Sequence, residues 1–309
     1  MSIARAAELI RAGKLVGFPT ETVYGLGANA LDAEAVARIF EAKRRPHTSP
    51  LIVHVDSVEM ARALAAEWPD AAEKLARRYW PGPLTLVVPK RRSLLKAGQE
   101  ACPTIPDIVT AGLPTVGLRM PAHPLALELI RAAGVPIAAP SANRFTELSP
   151  TAAAHIPREL ADYVLDGGPA RVGIESVVLS LVGAPTLLRP GAIPLPEIEA
   201  LIGPVRQGAD PLEGPHASPG MHPRHYSPAT PLYVLAAGEK PPEGHGAWLR
   251  IGREMPADPR DYAAALYETL HRLDTQGLPW IAVERPPDAP EWAGVLDRLL
   301  RAGVGRATE

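Results

Sequence analysis

Residues 49–90 read SPLIVHVDSVEMARALAAEWPDAAEKLARRYWPGPLTLVVPK. LIVHV at 51–55 is an apolar run short enough for a buried strand, and LTLVV at 84–88 is another. Two helical segments separate them, near 57–67 and 69–79. Strand, helix, helix, strand is the alternation of an α/β protein. The pattern continues in both directions. Upstream, residues 3–12 read as a helix closed by Gly13, and LVGF at 15–18 as a short strand. Asp32 suits the N-cap of a helix running to about Arg44. Downstream come TVGLRM (115–120), a helix at 123–133, PIAAP (136–140), and strands near 163–165, 176–181 and 185–189. Several connections are too short for helical crossovers, so a mixed sheet is expected.

The chain has 309 residues, a length that suits about two domains. The segment 206–231, RQGADPLEGPHASPGMHPRHYSPATP, holds six Pro and three Gly without apolar periodicity and reads as an extended linker. It divides a domain at 1–205 from a smaller α/β domain at 232–309, where LYVLAA, GAWLRI, a helix at 258–274, PWIAV and a helix at 291–302 follow in order. With 46% hydrophobic and 21% charged residues, the composition is that of an ordinary globular protein. A net charge of −2 excludes both a strongly basic nucleic-acid coat and an acidic disordered chain. One cysteine, Cys102, excludes an internal disulfide and a cysteine-cluster metal site. No run of eighteen uncharged apolar residues occurs, and the opening MSIARAAELIRAGK lacks a signal-peptide core. The cytosol is the expected compartment, with no membrane partner.

Several residues sit where ordinary packing would not put them. Lys43 continues the apolar stripe Val36, Ile39, Phe40 of its helix, so it points toward the protein body or a cavity rim. With Arg44, Arg45 and His47 it forms either a basic cap of the helix C-terminus or a phosphate-binding cluster; spacing alone slightly favours the cap. In TVGLRM, Thr115, Gly117 and Arg119 share one strand face. That face is wrong for a packed core, because a buried Arg needs an anionic partner. Ala139, Ser141 and Asn143 alternate in the same manner along PIAAPSAN, and Ser149-Pro150 reads as the N-cap and N1 of another helix. The loop Pro19–Gly27, with Thr20, Thr22 and two glycines, suits a ligand turn and equally an ordinary turn with a satisfied Glu21. His54 within LIVHV reads as a core histidine unless it faces the same cleft as Thr20. Glu175, Ser176 and Arg189 are polar points at strand ends. His222 and His225 are separated by Pro223, which breaks the helical spacing of a paired metal site. No GxSxG, HExxH or CxxC motif is present. The residues alone describe a cytosolic α/β protein with an Arg- and Ser-lined cleft for an anionic small molecule.

Seven segments occur in a fixed order: FPTETVYGLG (18–27), KRRPHTSPLIVHV (43–55), WPGPLTLVV (80–88), VGLRMPAHP (116–124), APSAN (139–143), GIESVVL (173–179) and LLRPGAI (187–193). Together they resemble the YrdC-like family of L-threonylcarbamoyladenylate synthases. SPGMHPRHYSP (218–228) followed by a small α/β domain is similar to the long, two-domain form. His222 departs from that pattern, which has Lys there. The resemblance implies a twisted mixed sheet with a large open positive cavity, a Rossmann-like second domain and a linker that closes over the cavity. It implies a nucleotidyltransferase that joins L-threonine, bicarbonate and ATP, with Mg²⁺, into threonylcarbamoyl-AMP and pyrophosphate. The product would pass to a separate transferase complex that modifies tRNA next to the anticodon. By the same resemblance Thr20, His54, Arg119, Ala139 and Ser176 would hold threonine. Lys43, His47, Thr115, Ser141, Asn143, Ser149, Arg189 and Tyr226 would surround ATP, with Lys43 and Arg45 stabilising charge on the phosphates.

Two other readings compete. An RNA-binding module would use the positive cavity for a phosphate backbone; the net charge and the three Phe, not interleaved with basic residues, argue for weak RNA binding at most. A carbamoyl-transfer module of the hydrogenase-maturation type shares the implied fold, but its cysteine clusters and acylphosphatase segment are not found in this sequence.

Overall fold

The computed structural model of the chain describes residues 2–91, 104–208 and 225–303. The expected linker is therefore described at its two ends; residues 209–224, with His222, lie outside the described residues, as does Cys102.

In chain order the first unit runs α1 (Ile3–Arg11), β1 (Val16–Phe18), β2 (Gly25–Asn29), α2 (Ala33–Lys43), β3 (Ile52–His54), α3 (Val58–Leu64), α4 (Asp70–Tyr79) and β4 (Leu84–Pro89). It continues with β5 (Thr115–Arg119), α5 (Pro124–Ala133), β6 (Ile137–Ala138), β7 (Tyr163–Val164), β8 (Val177–Ser180), β9 (Thr186–Arg189), α6 (Leu195–Ile202) and β10 (Arg206–Gln207). Its strands form one mixed sheet in the order β10-β9-β8-β4-β5-β3-β6-β2-β1-β7. β1–β2 and β8–β9, each joined by a short loop, pair antiparallel, while β5 pairs in parallel with β3 and antiparallel with β4. The second unit holds β11 (Leu232–Leu235), β12 (Ala247–Leu249), α7 (Pro259–Asp274), β13 (Ile281–Glu284) and α8 (Ala293–Ala302). Its three strands are all parallel, in the order β11-β13-β12. No helix among the described residues is long and apolar enough to cross a membrane.

Local chemistry accounts for the elements that carry the site. Asp32 caps α2 by accepting hydrogen bonds from the backbone of Glu34 and Ala35, at 2.9 and 3.1 Å. The helix ends at Arg44 in the left-handed conformation, φ 51°, a position usually given to glycine. That turn leaves Arg44 exposed while Lys43 and Arg45 on either side of it are buried.

Two expectations are corrected. Part of the Pro19–Gly27 turn is strand: β2 begins at Gly25, and its glycines are required by close packing. A Cβ on Gly27 would lie 2.8 Å from Ile137 Cγ2 and 2.9 Å from Phe18 Cε1. No helix starts at Ser149-Pro150; the chain stays extended until a single 3₁₀ turn at Ala153–His155, because the Ser149 hydroxyl is bonded to Glu175 instead of capping. Helix α6 was not expected, since Pro194 and Pro196 at its start resemble a turn.

The two units share a core. Val23, Leu148 and Ile174 of the first unit belong to the apolar cluster of Leu266, Leu270, Val295 and Leu299 in the second. Backbone meets backbone where α8 docks: a Cβ on Gly294 would lie 2.7 Å from the Gly191 carbonyl oxygen. We therefore expect Gly294→Val to lower unfolding stability by about 1–3 kcal/mol through overpacking. Urea unfolding of the full chain measures it; an unchanged midpoint would mean that α8 does not dock this way.

Candidate active site

One cavity lies between the sheet, the loop 19–25 and the segment entering the second unit. His54 on β3 and Arg119 on β5 are register partners, so the sheet itself sets them side by side. Thr20, Ala139, Ser141, Ser176 and Arg189 join them on the wall, together with Arg45 and Tyr226.

Arg119 is buried with its Nη2 donating to Glu21 Oε1 at 2.8 Å and to Thr22 Oγ1 at 2.9 Å. Glu21 Oε2 in turn accepts from the backbone of Ala122 at 2.9 Å. The anion that a buried Arg119 demands is thus supplied within the chain. Glu21 is the satisfied turn carboxylate of the plainer reading, and Arg119 lines the cavity as well. Thr20 Oγ1 donates to the Val23 carbonyl at 2.6 Å and meets Thr22 Oγ1 at 2.8 Å, which locks the loop. His54 Nδ1 has no hydrogen-bond partner among the described residues. Burial first, then the Arg119 charge, push its pKa down to about 3, so its imidazole is neutral at physiological pH.

Elsewhere on the lining, Ser176 Oγ meets Thr85 Oγ1 at 2.8 Å and accepts from Arg189 Nη2 at 3.2 Å. Arg189 Nε also donates to the Ser176 carbonyl at 3.0 Å. Arg45 donates to Ser49 Oγ and, at 3.2 Å, to the Pro50 carbonyl. Burial lowers its pKa to about 10, which leaves it protonated. Lys43 Nζ donates to the carbonyls of Ser141, at 2.6 Å, and Asn143. Burial and then Arg45 push its pKa well below the ordinary value, with Glu147 acting the other way. Lys43 is thus behind the wall rather than on it. It does more than cap its helix, since its ammonium reaches across to the segment 139–143.

The remaining expected residues divide. Ser149 and Asn143 adjoin the cavity without lining it; Asn143 Nδ2 donates to the Arg144 and Glu147 carbonyls at 2.8 Å each. Thr115 lines a neighbouring pocket with Thr85 and Gly117, one residue pair further along the same strand face. His47 is exposed, its ring stacked on Phe40 at 4.7 Å, and is not part of the cavity wall.

Glu175 is the residue whose importance the sequence understated. It lines the cavity and accepts hydrogen bonds from Ser149 Oγ, from Tyr267 Oη at 3.3 Å and from Arg298 Nε at 2.7 Å. Burial pushes its carboxyl up, but Arg298 and Arg189 hold it below the usual range. Tyr267 and Arg298 come from α7 and α8, so the second unit reaches the cavity floor. The sequence did carry a signal for Arg298: it lies three residues after Val295 on the buried stripe of α8, the same sign that singled out Lys43. The strap 225–231 crosses between the units. Ser227 donates its backbone N–H to the Thr146 carbonyl, and Ala229 and Thr230 donate theirs to the Asp274 carboxylate, at 2.9, 3.0 and 2.7 Å. This strap inserts His225 and Tyr226 into the cavity.

Similarities to known proteins cover both units. A Sua5/YciO/YrdC family model, described as "Telomere recombination", matches residues 8–191. A second, described as "Threonylcarbamoyl-AMP synthase, C-terminal domain", matches residues 193–303. A threonylcarbamoyl-AMP synthase of Pyrococcus abyssi is 49% identical over 74% of this chain and 66% of its own length. One of Bacillus subtilis is 40% identical over 98% of this chain and 93% of its own. The crystal structure of P. abyssi Sua5 complexed with L-threonine superposes with a TM-score of 0.86 at 39% identity, covering 97% of this chain and 93% of that one. The chain belongs to the Sua5/YciO/YrdC family, in the form that carries the threonylcarbamoyl-AMP synthase C-terminal domain.

Proposed function

We propose that the protein is a threonylcarbamoyl-AMP synthase, a nucleotidyltransferase that joins L-threonine, bicarbonate and ATP. The observation that carries this reading is the pairing of Arg119 and neutral His54 on adjacent strands of one cavity that Arg45 and Arg189 also line. The first pair suits a small amino acid, and the second two cations suit a polyphosphate. The relative that superposes over nearly the whole chain is described as complexed with L-threonine.

In this reading Arg119 binds the threonine carboxylate, with Glu21 and Thr22 fixing its guanidinium. Thr20, Ala139, Ser176 and uncharged His54 enclose the rest of the amino acid. A neutral imidazole does not repel the amine. The amine attacks the carbon of bicarbonate-derived CO2 and loses a proton to give the N-carboxylate. An oxygen of that carboxylate attacks the α-phosphorus of ATP, the bond to the bridging β-phosphate oxygen breaks, and pyrophosphate leaves. Arg45 and Arg189 face the developing phosphate charge, so catalysis is positioning plus electrostatic stabilisation. Lys43 holds the 139–143 segment by two carbonyls, and a nearby polyphosphate favours its protonated form. Ser141, Asn143, Ser149 and Tyr226 frame the nucleotide, with Thr115 extending the site along β5 and His47 at its outer edge. Magnesium enters with ATP; the cavity carboxylates Glu21 and Glu175 are already bound to Arg119 and Arg298.

The division into a catalytic domain at 1–205, a closing linker at 206–231 and a second domain at 232–309 belongs to the same proposal. So do a cytoplasmic location and the transfer of the product to a separate tRNA-modifying complex.

The first test is pyrophosphate release with MgATP and bicarbonate, with and without L-threonine. Release that needs both supports the synthase; none, from a folded protein that binds ATP, favours the RNA-binding reading. Lys43→Ala should abolish release while the circular dichroism spectrum stays native, and wild-type release by that variant would remove Lys43 from the mechanism. Arg119→Lys keeps the charge beside Glu21 but loses the fork, so the KM for threonine should rise by about tenfold with that for ATP little changed. Because His54 is neutral from its lowered pKa of about 3 upward, threonine affinity measured by calorimetry should be flat between roughly pH 5.5 and 8. Weakening with a midpoint near the ordinary histidine value would show that His54 takes up a proton in the empty cavity.

A further inference from the structure

Tyr226 is held in an unusual way. Its backbone has φ 62°, a conformation that non-glycine residues adopt only when their surroundings impose it. Its hydroxyl is buried and has no hydrogen-bond partner among the described residues. The ring is therefore what the protein grips. The His225 ring packs on it edge-on at 4.1 Å, and Tyr267 lies 6.2 Å away. Over its face lies the Arg298 guanidinium, 5.2 Å from the ring centroid.

Arg298 differs from the other cations around the cavity. It is wholly buried, and two carboxylates neutralise it: Glu175 and Asp297, each at 2.7 Å. It also donates to the Pro190 carbonyl at 3.0 Å and the Glu175 carbonyl at 3.2 Å. Such a group has little left to offer a phosphate. Arg45, by contrast, is met by a hydroxyl and carbonyls rather than a carboxylate. Arg298 is an anchor, fixed by Glu175 on one side and stacked on Tyr226 on the other.

We propose that Arg298 is a positioning residue, which through Glu175 and the Tyr226 ring holds the strap in the nucleotide half of the cavity and so sets ATP affinity while leaving threonine affinity alone. This deepens the synthase reading and rests on it for the assignment of Tyr226 to the nucleotide. The expected split follows from placement: among the described residues Thr20, His54 and Arg119 of the first unit have no hydrogen bond or ion pair with Arg298, whereas the Tyr226 ring lies against its guanidinium.

The test uses the full chain with Arg298→Leu, Arg298→Lys, Tyr226→Ala and the double variant Arg298→Leu/Tyr226→Ala. Calorimetry gives the affinities for L-threonine and, separately, for MgATP. Arg298→Leu should weaken MgATP by about tenfold, the size of effect expected for losing a stacked, buried cation. Threonine affinity should stay within about twofold, and Arg298→Lys should recover part of the loss. The double variant should be no weaker than Tyr226→Ala alone, because both substitutions remove the same arrangement. Additive losses, unchanged MgATP affinity, or equal weakening of both ligands would overturn the proposal; the last is what a general loss of packing gives. Should Arg298→Leu fail to fold with Glu175 left uncompensated, Glu175→Gln/Arg298→Met removes both charges and carries the same comparison. Affinity is read without turnover, so absent threonine-dependent pyrophosphate release would count against the synthase reading alone, and wild-type turnover with unaltered variants against this inference alone.

Discussion

Burying cations around a cavity is the constraint on which this structure turns. Lys43, Arg45, Arg119, Arg189 and Arg298 are all buried, and a charge removed from water must be met by something. The chain meets them in two ways. Arg119 and Arg298 receive carboxylates, Glu21 and Glu175; Arg298 becomes a fixed part of the framework, while Arg119 still lines the cavity. Lys43 and Arg45 receive carbonyl and hydroxyl oxygens, which satisfy their hydrogen bonds without cancelling their charge. The pKa directions record the difference: burial lowers both Lys43 and Arg45, while Arg298, for all its burial, is raised by the anions around it. An anionic ligand gains most from the cations that the protein has left uncancelled.

The same constraint explains why the second unit is not an appendage. Glu175 is useful only if its own charge is balanced, and the balancing group is Arg298 of α8. Ser149 and Tyr267 complete its shell from two further segments. The carboxylate thus ties the loop at 149, the strand end at 175, and helices α7 and α8 into one network. The apolar cluster that includes Val23 and Ile174 beside Leu266 and Leu299 gives that network its packing support.

Much of this was legible from the residues. Lys43 stood out because a cation continued an apolar stripe, and Arg119 because a strand face carried Thr, Gly and Arg. Both are buried, as that argument requires. Reading went astray where a long-range partner replaces a local one. Ser149 looks like a helix cap until Glu175, distant in sequence, takes its hydroxyl. Gly25 and Gly27 look like a turn because glycine is a poor strand former, yet the ring of Phe18 leaves room for nothing larger. Arg119 has a carboxylate of its own, Glu21, four strands away in the chain order, and lines the cavity as well. Thr115 and His47, given to ATP by the resemblance, lie outside the main cavity wall.

Gly191 and Gly294 give the contact between the units a mechanical character. Where most packed surfaces interlock side chains like gear teeth, here two bare stretches of main chain touch. Such a contact leaves no room for a side chain on either stretch, so the spacing between α8 and the segment after β9 is set by main chain alone. Arg298, one turn along α8 from Gly294, donates to the Pro190 carbonyl beside Gly191, and its place beside Glu175 is thereby set as a ruler sets a length.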